Sequence, residues 1–459
     1  MSAAHPSEAS RYFPSGRSVP AAACVLLAML SHLTWGRLRV AGPGGFRADF
    51  GAVGGIAADI EFRDWRVCAD ILAGGDNAFA EGYMQGRWNT SDLTGLLTVA
   101  AHNQQALERS FYGSRIRQLA RNVVHAWRSN TRRGARRNIE AHYDLGNDFY
   151  ALWLDPTMTY SSALFDASVD RTLEDAQRGK YRRVLRELAL EPGDDVLEIG
   201  CGWGGFAEEA LRIPDVRLTG LSLSPSQLAF ARERLDRGGC TDRAELLLRD
   251  YRDEHRTFDA VASIEMIEAV GERYWPMYFS TLQRVLKPGG RAVIQAITID
   301  EERFERYRRT SDFIQQYIFP GGMLPTAERI VSEAARAGLQ LESQFRFGGD
   351  YASTLGRWLQ RFDAAEPAVR ALGFDTRFVR MWRFYLAYCA AGFIAGTTDV
   401  GHYTFVRTCG PRPAAGASTS RTRSKSVMQD PSAASSWPSA AWRRCSTSAP
   451  EPRLSEVSG

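Results

Sequence analysis

The chain has 459 residues, enough for two or three domains, and its 44% apolar and 24% charged residues are ordinary for a soluble globular protein. Its net charge is only +4, unevenly distributed, and no apolar run is long enough to span a bilayer. The seven cysteines (Cys24, Cys68, Cys201, Cys240, Cys389, Cys409, Cys445) are scattered with no C-x-x-C spacing, which argues against a disulfide framework or a zinc site and fits a reducing cytosol.

Residues 1–20 are polar and are expected to be loose. Val19 to Leu30 (VPAAACVLLAML) follows Arg11 and Arg17, as the core of a signal peptide would, but no small-residue cleavage site follows. A core helix is the better reading. Residues 21–110 are read as a small α+β domain. Leu38–Val40, Phe46–Phe50 and Ala57–Phe62 alternate as short strands between Gly-rich turns, and Ala78–Met84 and Leu93–His102 have helical spacing. Lipid handling and plain packing are equally compatible with this unit.

Residues 111–137 form a basic linker. Arg115 to Arg137 (RIRQLARNVVHAWRSNTRRGARR) carries eight arginines and no acid, interleaved with Ile116, Leu119, Val123, Val124 and Trp127. A basic amphipathic helix suits anionic lipid headgroups or a solvated linker, and both readings stand ahead of nucleic acid, which is not expected as a partner.

The catalytic domain is placed at residues 138–408. Ala141 to Phe165 is dense in aromatics and lies where a segment can fold over a bound ligand; Arg178–Leu190 is an amphipathic helix. The centre of the chain is Asp194–Phe206, DDVLEIGCGWGGF. Val196, Leu197 and Ile199 read as a buried parallel strand, and Gly200, Gly202, Gly204 and Gly205 let the backbone turn sharply and approach a ligand. Glu198 just before the turn opposes a diphosphate but attracts an ammonium or sulfonium group, which favours S-adenosylmethionine over NAD or ATP.

Strands follow at Val216–Leu221, Ala244–Leu248, Phe258–Ile264 and Arg291–Ile299, with helices at Pro225–Leu235 and Tyr274–Leu286 and a KPGG turn before the last strand. This alternation predicts an α/β fold with a doubly wound, mostly parallel sheet whose ligands sit beyond the strand C-termini. Asp300–Ala337 reads as an insertion whose DFIQQYIFPGGMLP stretch can cover a long apolar substrate. Leu339–Phe347 and His402–Arg407 are the last strands, and Arg377–Ala395 is a helix stopped by Gly396. Residues 409–459, rich in Ser, Ala, Pro and Arg, are expected to be disordered.

HYDLGNDFYALWLDPTMTYSSALF, VLEIGCGWGG, GLSLSPSQ, DYRD, IEMIEAVG, FPGGMLP, DYASTL and YCAAGF occur in that order between residues 138 and 408. As a set they resemble the cyclopropane-fatty-acyl-phospholipid synthase family, which includes the mycolic acid cyclopropane synthases. The resemblance implies a class I S-adenosylmethionine methyltransferase fold, with a Rossmann-like seven-stranded sheet. It also implies transfer of a methylene across a cis double bond of a phospholipid acyl chain, by an enzyme on the cytoplasmic face of an anionic membrane. A homodimer is compatible with the sequence. The implied donor contacts are Tyr160, Ser161, Gly200, Gly202, Gly204, Ser222, Gln227, Asp250 and Tyr251, besides Glu198. The implied base is a bound bicarbonate held by Glu268, Tyr351 and the backbone of Ile297. Cys389 matches a cysteine once considered catalytic; a lining or structural role fits a thiol better beside a methylating agent.

The chain departs from the family at two positions. Ser162 stands where the family has a cysteine, and its backbone N–H can still serve. Gln295 stands where the family has a histidine ligand for bicarbonate, and glutamine donates a hydrogen bond without positive charge, so an anion is expected to be held less tightly. Glu265 adds a carboxylate nearby, which also disfavours an anion. The product expected is therefore a cyclopropane, a methylene or a methyl-branched chain. Two other readings are a non-catalytic lipid- or donor-binding protein and a methyltransferase for a small molecule or RNA.

Overall fold

A computed structural model describes residues 19–52, 54–110, 145–165 and 171–408, which belong to one compact unit, Met1–Gly410. The expected loose N-terminus (but for its last two residues), the basic linker and the disordered tail lie outside the described residues.

Two sheets organise the unit. The smaller contains β1 (Arg37–Gly42), β2 (Phe46–Gly51), β3 (Ala57–Phe62) and β4 (Trp88–Asn89), in the order β2-β1-β3-β4. β2 alternates strictly between buried and exposed residues, so one face enters the core and the other meets water. The helix Ala21–Leu30 packs beside the helix Arg66–Gly74 and enters the apolar core through Ala23, Leu26 and Leu27, as a core helix should. Asn103 ties the segment together from a buried position. Its Oδ1 accepts from Thr34 N (2.8 Å) and Trp35 N (3.1 Å), and its Nδ2 donates to Trp35 O (2.7 Å) and Val99 O (2.8 Å).

The larger sheet contains β5 (Asp195–Ile199), β6 (Arg217–Ser222), β7 (Ala244–Leu248), β8 (Phe258–Ile264), β9 (Leu286–Ile299), β10 (Leu339–Arg346) and β11 (Thr398–Arg407). Their order is β10-β11-β9-β8-β5-β6-β7. β5 to β9 are parallel, while β11 runs antiparallel to β9 and β10. Val196 and Leu197 are fully buried because helices cover both faces of the central strand. The KPGG segment is not a separate turn: Phe258 pairs with Leu286 and Ala260 with Arg291, so Lys287–Gly290 bulges within one long strand. Lys287 Nζ anchors the bulge on both carboxylate oxygens of Asp259 at 2.8 Å.

The helix Thr376–Ile394 joins the two regions. Asp375 caps it by accepting from Phe378 N (2.7 Å), and Gly396 follows it at φ +69°. Phe384, Leu386 and Ala390 enter the same apolar core as Leu27, Val40 and Trp88. Arg380 stacks 3.8 Å from the Tyr83 ring and donates to Tyr83 O (2.5 Å). No helix among the described residues is long and apolar enough to cross a membrane.

Candidate active site

The carboxyl ends of β5, β6, β8 and β9 open into a cavity of about 640 Å³. At its floor Gly200 and Cys201 both donate their N–H to Leu221 O at 2.9 Å, which folds the chain back under the strand ends. Gly200 (φ +87°) and Gly202 (φ +50°) line the cavity, and a Cβ on Gly202 would meet nothing within 4 Å among the described residues. Gly204 (φ +81°) does not line it. A Cβ there would stand 3.0 Å from Ala231 Cβ, so Gly204 lets two helices approach rather than touching a donor.

Glu198 reaches the cavity from β5. It is 3% exposed, its Oε2 has no hydrogen-bond partner among the described residues, and burial pushes its carboxyl up to about 8 against the pull of Lys180. An unpartnered carboxylate oxygen beside an open glycine turn fits a cationic donor. Ser222 and Gln227 line the cavity and bond each other (3.1 Å). Asp250 and Tyr251 line it too. The Asp250 carboxylate is held by Arg252 (2.9 and 2.5 Å), and the Tyr251 ring meets Tyr278 edge-on at 5.7 Å. Tyr160 shares a hydrogen bond with Tyr385 (2.7 Å), and Ser161 Oγ accepts from Lys180 Nζ (2.6 Å).

From the donor turn the cavity continues between Phe79, Leu97, Ile314, Phe319, Leu355 and Phe384, an apolar channel drawn from both regions and from the segment after β9. Cys389 lines it, and burial raises its thiol far above the ordinary range, so it stays protonated.

The residues expected to hold bicarbonate meet at the junction of turn and channel, but they hold a side chain of this protein. Glu265 Oε1 accepts from Ser162 N (2.8 Å) and Gln295 Nε2 (2.7 Å), and Oε2 accepts from Tyr351 OH (2.7 Å). The Ile297 N–H is taken by Glu268 Oε1 (2.5 Å). Ser162 and Gln295 are fully buried behind Glu265 and do not line the cavity. With these donors occupied, the arrangement does not fit an added bicarbonate. Glu268 Oε2 is buried without a partner among the described residues, and burial together with the nearby Glu265 pushes its carboxyl up to about 8.

Two site residues were not found by reading the sequence. Lys180 is fully buried within the site, 4.3 Å from the Tyr181 ring centroid, and burial lowers it to about 7. Its signal was a lysine on the apolar stripe of Leu173–Leu188, four residues from both Ala176 and Val184. His402 lies on β11 and meets Gln295 Oε1 at 2.9 Å. A lone histidine in a strand carries no such signal.

The family model described as mycolic acid cyclopropane synthetase matches residues 130–403. This chain belongs to that family. It is 41% identical over 337 residues to tuberculostearic acid methyltransferase UfaA1 of Mycobacterium tuberculosis, covering 72% of this chain and 78% of the relative. It is 33% identical over 371 residues to the cyclopropane-fatty-acyl-phospholipid synthase of Escherichia coli, covering 79% and 91%. Among solved structures, the cyclopropane synthase MmaA2 of Mycobacterium tuberculosis superposes with a TM-score of 0.56 at 31% identity, over 59% of this chain and 98% of that one. The mycolic acid cyclopropane synthase CmaA1, solved with S-adenosylhomocysteine (SAH), gives the same values. The cyclopropane synthetase family member described here is an S-adenosylmethionine-dependent methyltransferase acting on lipids.

Proposed function

We propose that this protein transfers a methyl group from S-adenosylmethionine to the double bond of an unsaturated phospholipid acyl chain. The observation that carries the reading is a continuous cavity that joins the glycine turn below Glu198 to an apolar channel, with Glu265 and Glu268 at the junction. The bound donor supplies an electrophilic methyl on a positively charged sulfur.

Every other part of the work falls to the chain. Glu198 attracts the cation, and the turn at Gly200 and Gly202 leaves it room. The apolar lining aligns the alkene and excludes water that would capture a carbocation. The faces of Tyr160 and Tyr385 offer negative potential to that cation. Arg303 and Arg306, with Glu302 and Gln104 beside them, line the same cavity and suit a charged headgroup. The phospholipid reading also draws on the name of the Escherichia coli relative. It places the enzyme at a membrane surface on the cytoplasmic side.

The test is incubation of the full chain with methyl-labelled donor and vesicles of monounsaturated phosphatidylglycerol or phosphatidylethanolamine. Label is expected in the acyl chains as one added CH2, and hydrogenation and NMR distinguish cyclopropane, methylene and methyl-branched products. Donor binding with no label in any lipid would refute the reading.

A further inference from the structure

We propose that Glu265 is the proton acceptor of this reaction in place of an exogenous bicarbonate, and that Gln295 and His402 are positioning residues that aim its carboxylate. The proposal rests on the lipid-methylation reading above.

Glu265 follows β8 directly and adopts φ +48°, a left-handed conformation uncommon outside glycine, while its N–H donates to Gln295 O at 2.8 Å. That bend turns the side chain toward the donors at Ser162, Gln295 and Tyr351. An ionised carboxylate only accepts, and it offers about four lone-pair sites. Two on Oε1 and one on Oε2 are used. The site left on Oε2 is available to a proton, and Glu265 lines the cavity.

The hydrogen bonds determine the rest of the chain of contacts. Because the carboxylate cannot donate, the amide nitrogen of Gln295 must face it, and the amide oxygen must face His402. That oxygen only accepts, so His402 carries its proton on Nε2, 2.9 Å away. His402 is 1% exposed, its Nδ1 has no hydrogen-bond partner among the described residues, and burial lowers it to about 3, so the ring is neutral. It orients Gln295 without cancelling the charge of Glu265.

Glu268 is the competing base. Its Oε1 is taken by the Ile297 N–H, and burial with the Glu265 charge beside it pushes its carboxyl up to about 8, whereas Glu265, also raised by burial, is drawn back toward its charged form by Tyr351, Ser162, Lys180 and Gln295. A bicarbonate ion would find Ser162 N–H, Gln295, Tyr351 and Ile297 N–H already occupied, and would add a negative charge beside Glu265.

The step balances without a co-reactant. The C–S bond breaks with its electron pair left on sulfur, and the alkene π pair forms the new C–C bond. The other alkene carbon becomes cationic. A C–H bond of the transferred methyl breaks, and its proton passes to Glu265 Oε2. Its electron pair closes a cyclopropane on that carbon or, after a hydride shift, forms a methylene. No atom is oxidised or reduced by an outside agent.

The experiment compares turnover of the wild type and of Glu265→Gln on monounsaturated phosphatidylglycerol vesicles, in buffer purged of carbon dioxide and with graded sodium bicarbonate. Wild-type turnover is expected to be indifferent to bicarbonate. Glu265→Gln is expected to lose about 10²–10⁴-fold in kcat, with SAH affinity unchanged by calorimetry. Glu265→Gly suits the backbone at this position and frees the three donors, so added bicarbonate should restore part of its turnover. His402→Phe should move the acidic limb of kcat to higher pH, because the carboxylate loses support for its charged form, and His402→Gln should bring it back. The titratable groups facing Glu265 are Lys180, Glu268 and Tyr351. A separate readout needs no lipid: ¹³C-bicarbonate NMR should show binding to Glu265→Gly and none to the wild type. Bicarbonate bound to the wild type, stimulation of the wild type by bicarbonate, or full turnover by Glu265→Gln would overturn the proposal. Failure of the wild type to label any lipid would overturn the lipid reading, while the NMR result would still judge the place of Glu265.

Discussion

Gly202 and Gly204 are two residues apart in the same turn, and the structure assigns them opposite tasks. Both have positive φ, so alanine at either costs about 1–2 kcal/mol of backbone strain. At Gly204 the new Cβ would also stand 3.0 Å from Ala231 Cβ and 3.3 Å from Ala231 Cα. Overpacking of that kind costs a further ~1–3 kcal/mol, which brings Gly204→Ala to about 2–5 kcal/mol. At Gly202 the Cβ meets no atom of the described residues within 4 Å and enters the cavity, so stability should fall by only the strain. The donor, however, would meet that methyl. Imperfect accommodation worth about 1–3 kcal/mol weakens binding roughly 5- to 150-fold. Urea unfolding and calorimetric titration with SAH, run on both variants, separate the two effects. Gly204→Ala should be the less stable protein with nearly native affinity in its folded fraction, and Gly202→Ala the more stable protein with the weaker affinity. The reverse ranking would refute the placement of the turn.

The raised carboxyl of Glu198 makes donor binding depend on pH. Below about 8 it is protonated in the free protein and must lose that proton to face a cation. Affinity for S-adenosylmethionine should therefore tighten with rising pH up to about 8, by at most about tenfold per unit. Lys180, lowered to about 7, loses its competing charge over the same interval and acts in the same direction. SAH, which lacks the sulfonium, should tighten less, and Glu198→Gln should abolish the difference in calorimetric titrations. Away from the site, Asn103→Ala would strand the Thr34 and Trp35 N–H groups and the Trp35 carbonyl, at a cost of about 3–5 kcal/mol in urea unfolding. Asn103→Asp keeps the acceptor but loses the donor, and should cost less.

Much of the architecture was legible in the order of residues. Glycines after an apolar strand, strands and helices in alternation, and the stop signal at Gly396 are local facts, and each matched an observed element. The KPGG segment misled because glycine and proline report a bend without saying whether strand pairing resumes beyond it, and pairing with β8 does resume. Gly204 shows the same limit. Its positive φ follows from the local sequence, but contact with Ala231, 27 positions later, depends on how two helices pack.

Local sequence also set the chemical inventory: a carboxylate before the glycine turn, two more at Glu265 and Glu268, and aromatic and apolar residues enough to line a dry channel. Tertiary structure alone decided how that inventory is shared. Ser162, Glu265, Gln295, Tyr351 and His402 lie on segments up to 240 residues apart, so no local pattern could show that the donors assigned to an ion close instead on Glu265. The reason is physical. Backbone propensities and hydrophobic periodicity act over a few residues, whereas the partner of a buried hydrogen bond is chosen by the packing of the whole sheet.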